Sequence, residues 1–137
     1  MVRVMIVDDQ VLWRRFVAHS LARRSGVDIV GEAENGYLCL QNAMTLKPDV
    51  IFLDIGLSDV SGLDVARNVL ERLPNVRIIF FTQHNSEDIV DAALRTGASG
   101  FVTKLDANNL LEALEAVLTG DVFIKCNSRA TRMARPV

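Results

Sequence analysis

The chain has 137 residues, half of them apolar and 23% charged, with a formal net charge of −2. That length is one ordinary domain with room for a core, and the composition excludes a disordered or collagen-like chain. The near-neutral balance gives no global attraction to nucleic acid or to a membrane surface.

Two cysteines, Cys39 and Cys126, lack CxxC or His-Cys spacing, which reads as reduced thiols in a cytoplasmic protein. The first apolar run, Val4 to Val7, is too short for a signal peptide and leads straight into Asp8-Asp9. No segment approaches a membrane span. From Val11 to about Arg24, residues Leu12, Trp13, Phe16, Val17 and Leu21 recur at helical spacing, and Gly26 stops the helix. Arg14, Arg15, Arg23 and Arg24 on it read as a solvated face. Asp28 to Glu34 suits a short strand, Asn35-Gly36 a turn, and Tyr37 to Leu46 a helix closed by Pro48.

Val50 to Leu53 are four consecutive apolar residues, three of them β-branched or aromatic, followed at once by Asp54. Such a run suits a strand covered on both faces, as in a parallel sheet with helices above and below. Leu63, Val65, Ala66, Val69 and Leu70 predict a helix ended by Pro74, and Val76 to Phe81 a strand ended by Thr82. Ser86-Glu87-Asp88 caps a helix that Gly97 terminates. Gly100-Phe101-Val102 is a strand leading to Thr103-Lys104, and a last helix runs from near Asp106 to Gly120. Five alternations of strand and helix imply an α/β, doubly wound, three-layered parallel sheet. Residues 1–120 form that domain. Residues 121–137, with Lys125, Arg129, Arg132 and Arg135, read as a basic tail or truncated linker.

The ends of the strands carry the chemistry: Asp8-Asp9, Asp54, Thr82 and Lys104. Open α/β sheets gather such ends along one edge, where their ligands bind. At about 4 Å and an effective dielectric near 20, each close carboxylate pair costs roughly 4 kcal/mol, which a divalent cation relieves. An all-oxygen donor set favours Mg²⁺, with Mn²⁺ as the alternative, over zinc. Lys104 brings a positive charge and Thr82 a hydroxyl, both suited to phosphoryl oxygens if Asp54 is a nucleophile. Singly, each residue has a bland reading: a turn aspartate, a strand-end hydroxyl, a solvated lysine.

Taken together, Met5-Ile6-Val7-Asp8-Asp9, Phe52-Leu53-Asp54, Ser61-Gly62-Leu63, Phe81-Thr82 and Gly97-Ala98-Ser99-Gly100-Phe101-Val102-Thr103-Lys104 resemble the receiver domain of two-component response regulators. The resemblance covers the amino terminus to about Gly120. It implies a five-stranded flavodoxin-like (CheY-like) fold with strand order 2-1-3-4-5. It also implies phosphorylation of Asp54 by a sensor histidine kinase or phosphotransfer protein. By the same resemblance Asp8, Asp9, Asp54 and the backbone carbonyl of Gly56 hold Mg²⁺, while Thr82 and Lys104 bind the phosphoryl group. Thr82 and the aromatic Phe101 then act as the switch, which remodels the face of the fourth helix, fifth strand and fifth helix. The implied role is that of a phosphoacceptor in signalling rather than an enzyme.

The stretch from Gly97 to Phe101 and that from Leu110 to Val122 are most similar to the NarL/FixJ-type branch, whose members control transcription through a helix-turn-helix output domain. DNA binding would need that domain, and homodimerisation on phosphorylation is a further implied partner mode. The chain ends at Val137, too soon for the output domain, so the expectation is a receiver cut from a longer regulator or one that stands alone. Ser58, Leu105 and Val11 depart from the family's common pattern where Pro is frequent, and alter loop rigidity more than chemistry. Gln83, bulkier than usual, narrows access to Asp54. Gly56 and His84 occupy positions that tune phosphoryl lifetime.

Other readings fit less well. A nucleotide-binding module wants a Gly- or Ser/Thr-rich loop after the first strand, where this chain has Asp8-Asp9-Gln10. A phosphohydrolase wants an acid two residues beyond its nucleophile, where Gly56 stands. A receiver-shaped interaction module that works without phosphate is the remaining alternative.

Overall fold

A computed structural model describes residues 1–127 and 129–135. The apolar runs form strands because both of their faces are covered. Alternate residues of β1 (Val2–Val7) and β3 (Val50–Leu53) go to opposite sides: Met5, Val7, Ile51 and Leu53 to one cluster, Val4, Ile6, Val50 and Phe52 to the other. Strand β4 (Arg77–Thr82) follows the same rule, and β5 (Gly100–Thr103) sends Phe101 and Val102 to opposite clusters. Strand β2 (Val27–Ala33) pairs only with β1 and is half-exposed, as its acidic residues suggest.

Helices α1 (Val11–Leu21) and α5 (Leu110–Leu118) pack on one face, contributing Val17, Leu21, Leu110, Leu114 and Val117 to its core. Helices α2 (Gly36–Leu46), α3 (Gly62–Arg72) and α4 (Glu87–Arg95) cover the other through Cys39, Ala43, Val65, Val69 and Ala93. Side-chain caps fix three of these starts: Asn35 accepts from Leu38 N, Ser61 from Leu63 N and Ser86 from Ile89 N. A 3-10 turn, Lys104–Asn109, precedes α5. Among the described residues, no helix is long and apolar enough to cross a membrane. Cys39 is buried and free, its thiol pushed up to about 12 by burial, and Cys126 is a free, half-buried thiol.

The sheet corrects the expectation of five parallel strands. It has seven, in the order β2-β1-β3-β4-β5-β6-β7. Strand β6 (Asp121–Cys126) runs parallel to β5, pairing Phe101 with Ile124, and β7 (Arg129–Ala134) returns antiparallel to β6. The physical reason is Val122-Phe123-Ile124. This short apolar run places Phe123, 2% exposed, into the α1–α5 core, and the N–H of Phe123 bonds the Ser99 carbonyl. The cations that make the stretch read as a tail lie beside this run, and two are fixed: Arg132 pairs with Asp121, and Arg135 donates to Ser99 Oγ and the Gly97 carbonyl. Residues 128, 136 and 137 of the expected tail lie outside the described residues.

Candidate functional site

After β1 the chain visits β2 on one side, then crosses to β3 on the other, so the carboxyl ends of β1 and β3 border the point where the winding reverses. Asp8 and Asp9 follow β1, Asp54 follows β3, and Lys104 follows β5. Asp8 and Asp54 are buried, Asp9 is exposed, and carboxylate oxygens of all three lie within 4.8 Å of one another.

Lys104, itself buried, reaches across β4 to the acidic group. Its Nζ lies 2.8 Å from Asp8 Oδ2 and 3.0 Å from Asp54 Oδ2. The other oxygens are held by backbone: Asp8 Oδ1 accepts from Gln10 N at 2.9 Å, and Asp54 Oδ1 from Gly56 N at 3.2 Å. Burial pushes the Asp8 carboxyl above its ordinary value, and the bonds from Lys104 and Gln10 offset part of that. A cleft of about 100 Å³ opens over the group, lined by Asp9, Gln10, Asp54, Gly56, Gln83, His84 and Lys104.

Three clustered carboxylates, two of them buried and sharing one ammonium, suit a hard divalent cation of the Mg²⁺ or Mn²⁺ kind, an all-oxygen ligand set. Gly56 lines the same cleft. Thr82 ends β4 fully buried, opposite Thr103, and its Oγ1 accepts from His84 N at 3.4 Å. The hydroxyl therefore faces its own turn. Phe101 is fully buried among the residues on the α2–α4 side. Gln83 and His84 wall the cleft, and a Cβ on Gly56 would come within 3.1 Å of His84 Nε2.

Several residues that support the site were assigned no role there from the sequence. The Trp13 ring lies under Lys104 Nζ, 5.0 Å from its centroid. Arg14, read as part of a solvated face, donates to the Asp8 carbonyl at 2.7 Å and pairs with Glu32 at 3.1 Å. Gly62 packs so closely that a Cβ there would stand 2.1 Å from the Asp54 carbonyl oxygen. Asp59 accepts from Gly36 N at 2.8 Å and Tyr37 N at 2.9 Å, tying the loop after Asp54 to the start of α2. The one legible signal was Trp13, a large aromatic in an otherwise mostly aliphatic stripe four residues past the acidic pair.

Comparison with known proteins places this geometry. The model of the response regulator receiver domain matches residues 4–115. The transcriptional regulatory protein DegU of Brevibacillus brevis is 33% identical over 124 residues, covering 90% of this chain and 52% of DegU. The chain thus spans about half the length of that relative. A LuxR-family response regulator from Aurantimonas sp. SI85-9A1 superposes with a TM-score of 0.82 at 32% identity, over 86% of this chain and 85% of that one. The signal receiver domain of the putative response regulator NarL from Mycobacterium tuberculosis gives 0.80 at 31%, over 87% and 97%.

Proposed function

The chain belongs to the response regulator receiver domain family, and we propose that Asp54 accepts a phosphoryl group from a sensor histidine kinase or phosphotransfer protein in a Mg²⁺-dependent reaction. The observation that carries this reading is the Asp54 carboxylate, buried at the mouth of a cleft, sharing the Lys104 ammonium with Asp8 and clustered with Asp9.

In the proposed step an Asp54 carboxylate oxygen attacks phosphorus while the bond to the donor's imidazole nitrogen breaks, leaving an acyl phosphate and a free imidazole. Asp54 is held for this by Gly56 N and Lys104. Little covalent work falls to the protein, so positioning and charge neutralisation carry the rate. Lys104 is placed to follow the charge onto the phosphoryl oxygens. Asp8, Asp9, Asp54 and the Gly56 carbonyl would hold Mg²⁺, or Mn²⁺, which would supply the remaining charge neutralisation. Gln83 and His84 govern the access of water that later hydrolyses the acyl phosphate, and with it the lifetime of the signal.

Phosphorylation would draw Thr82 Oγ1 from His84 N toward the new oxygens. It would thereby bias the face built by α4, β5 and α5, which here also carries β6 along the β5 edge. The role is that of a phosphoacceptor in cytoplasmic signalling, not an enzyme with a separate substrate. Its output is transcription control through a helix-turn-helix domain outside this chain, with homodimerisation as a phosphorylation-dependent step. Intact mass after incubation with acetyl phosphate and Mg²⁺ tests the reading. One added phosphoryl group in wild type and none in Asp54→Ala is expected. No adduct, together with no binding of beryllofluoride while metal is bound, would leave a phosphate-independent module.

A further inference from the structure

We propose that Trp13 is a positioning residue for Lys104, holding its ammonium between Asp8 and Asp54. Two carboxylates attract a lysine but do not orient it, because a flexible four-carbon stem can deliver the charge from many rotamers. The third side of the ammonium is closed by aromatic faces: Nζ lies 5.0 Å from the Trp13 ring centroid and 5.9 Å from that of Phe81, inside the range of a cation–π contact. The indole is itself fixed. Phe16 meets it edge-on at 5.7 Å and 76°, and Phe81 at 5.4 Å and 83°.

The need for such a brace is visible beside it. Trp13, Gln83, Lys104 and Leu105 line an open cleft of about 390 Å³, the direction in which the lysine would relax toward water. Without the indole, the same two ion pairs would compete with hydrated rotamers.

The kinetic consequence rests on Asp54 being the phosphoacceptor; the contact itself does not. Two variants separate ring from bulk: Trp13→Phe keeps an aromatic face, and Trp13→Leu keeps only apolar volume. In wild type the Lys104 ε-methylene protons are expected upfield of ordinary lysine by ring current in NMR spectra. They should return to the ordinary position in Trp13→Leu. The rate of acetyl phosphate labelling with Mg²⁺ should fall about three- to tenfold in Trp13→Leu and recover for the most part in Trp13→Phe. On a Lys104→Ala background, Trp13→Leu should cost nothing further, since the interaction it removes is already gone. Equal slowing by both Trp13 variants, an unchanged rate in Trp13→Leu, or the same fractional loss on Lys104→Ala would overturn the proposal. If wild type takes no label at all, the acceptor reading falls. The ring-current shift then decides alone, and its persistence in Trp13→Leu refutes the contact.

Discussion

Lys104→Met removes one positive charge while keeping most of the side chain's length, and so exposes what the acidic cluster costs on its own. The side chains of Lys104, Asp8 and Asp54 are 5%, 4% and 8% exposed, with contacts of 2.8 and 3.0 Å. At an effective dielectric of about 20 each contact is worth roughly 5–6 kcal/mol of attraction, much of it offset by desolvation. Breaking a buried pair by deleting one partner costs about 3–5 kcal/mol, and a site that opens into a cleft falls at the low end, about 3 kcal/mol. The sign with pH follows from Asp8. Its folded-state carboxyl already lies above 3.8, so ionising it destabilises the fold, and losing Lys104 raises it further. The deficit of the variant is therefore greatest at neutral pH and narrows as pH falls toward 3.8. If a divalent cation binds there it replaces the missing charge: Mg²⁺ at about 100 times its Kd would add about 2.7 kcal/mol to whichever protein binds it. Urea unfolding at neutral and mildly acidic pH, in EDTA and in excess Mg²⁺, measures all of this. A variant as stable as wild type in EDTA at neutral pH, or a deficit indifferent to pH, would refute the argument.

Three further outcomes follow from the same geometry. Gly62→Ala puts a methyl 2.1 Å from the Asp54 carbonyl oxygen and 2.7 Å from Ile55 Cα, so the loop after Asp54 must shift. A loss of about 1–3 kcal/mol in chemical denaturation and slower labelling of Asp54 are expected. Asp59→Ala strips the acceptor from the first amides of α2. The bonds from Gly36 and Tyr37 hold the Asp59 carboxyl below 3.8, so its contribution is present above that value and lost as pH falls through the lower folded one. Thermal melts of variant and wild type should differ at neutral pH and converge in strong acid. The ring signals of Phe101 should be nearly unchanged when Mg²⁺ and beryllofluoride are added, because the ring is already fully buried.

How far the sequence could be read depended on whether a residue's role was local or brought about by topology. Val50–Leu53 and Ile78–Phe81 announce strands covered on both faces because unbroken apolar runs have few other uses. Asp8, Asp54 and Lys104 could be grouped because alternating elements put strand ends on one edge, and the structure brings these three into contact. Arg14 could not be read that way. Its link to the Asp8 carbonyl depends on how α1 leaves β1, and helical spacing alone made it a solvated cation. Gly62 and Asp59 act on backbone atoms, the Asp54 carbonyl and the amides of α2, which no side-chain pattern encodes. The strands β6 and β7 were missed because an apolar run of three, set among cations, becomes a strand only when an edge such as that of β5 is there to pair with it.

That added edge changes what the proposed switch must do. Phe101 is fully buried in this structure, with Ile124 of β6 paired opposite it. Turning such a ring out to water costs about 1.5–3 kcal/mol, which leaves the outward packing only about 1–7% populated. Drawing the last few per cent inward is worth less than about 0.1 kcal/mol, too little to drive a partner on or off. If Asp54 is the acceptor, the free energy has to travel elsewhere, and the bonded route begins at Thr82. Its hydroxyl holds His84 N at 3.4 Å, and the next residue, Asn85, binds the β6–β7 turn from two sides. Asn85 Nδ2 donates to Asn127 Oδ1 at 3.0 Å, and the Asn85 carbonyl accepts from Cys126 Sγ at 3.4 Å. Ser86 then caps α4. A pull on Thr82 would thus bear on the start of α4 and on the hairpin through bonded contacts, without requiring an aromatic ring to move.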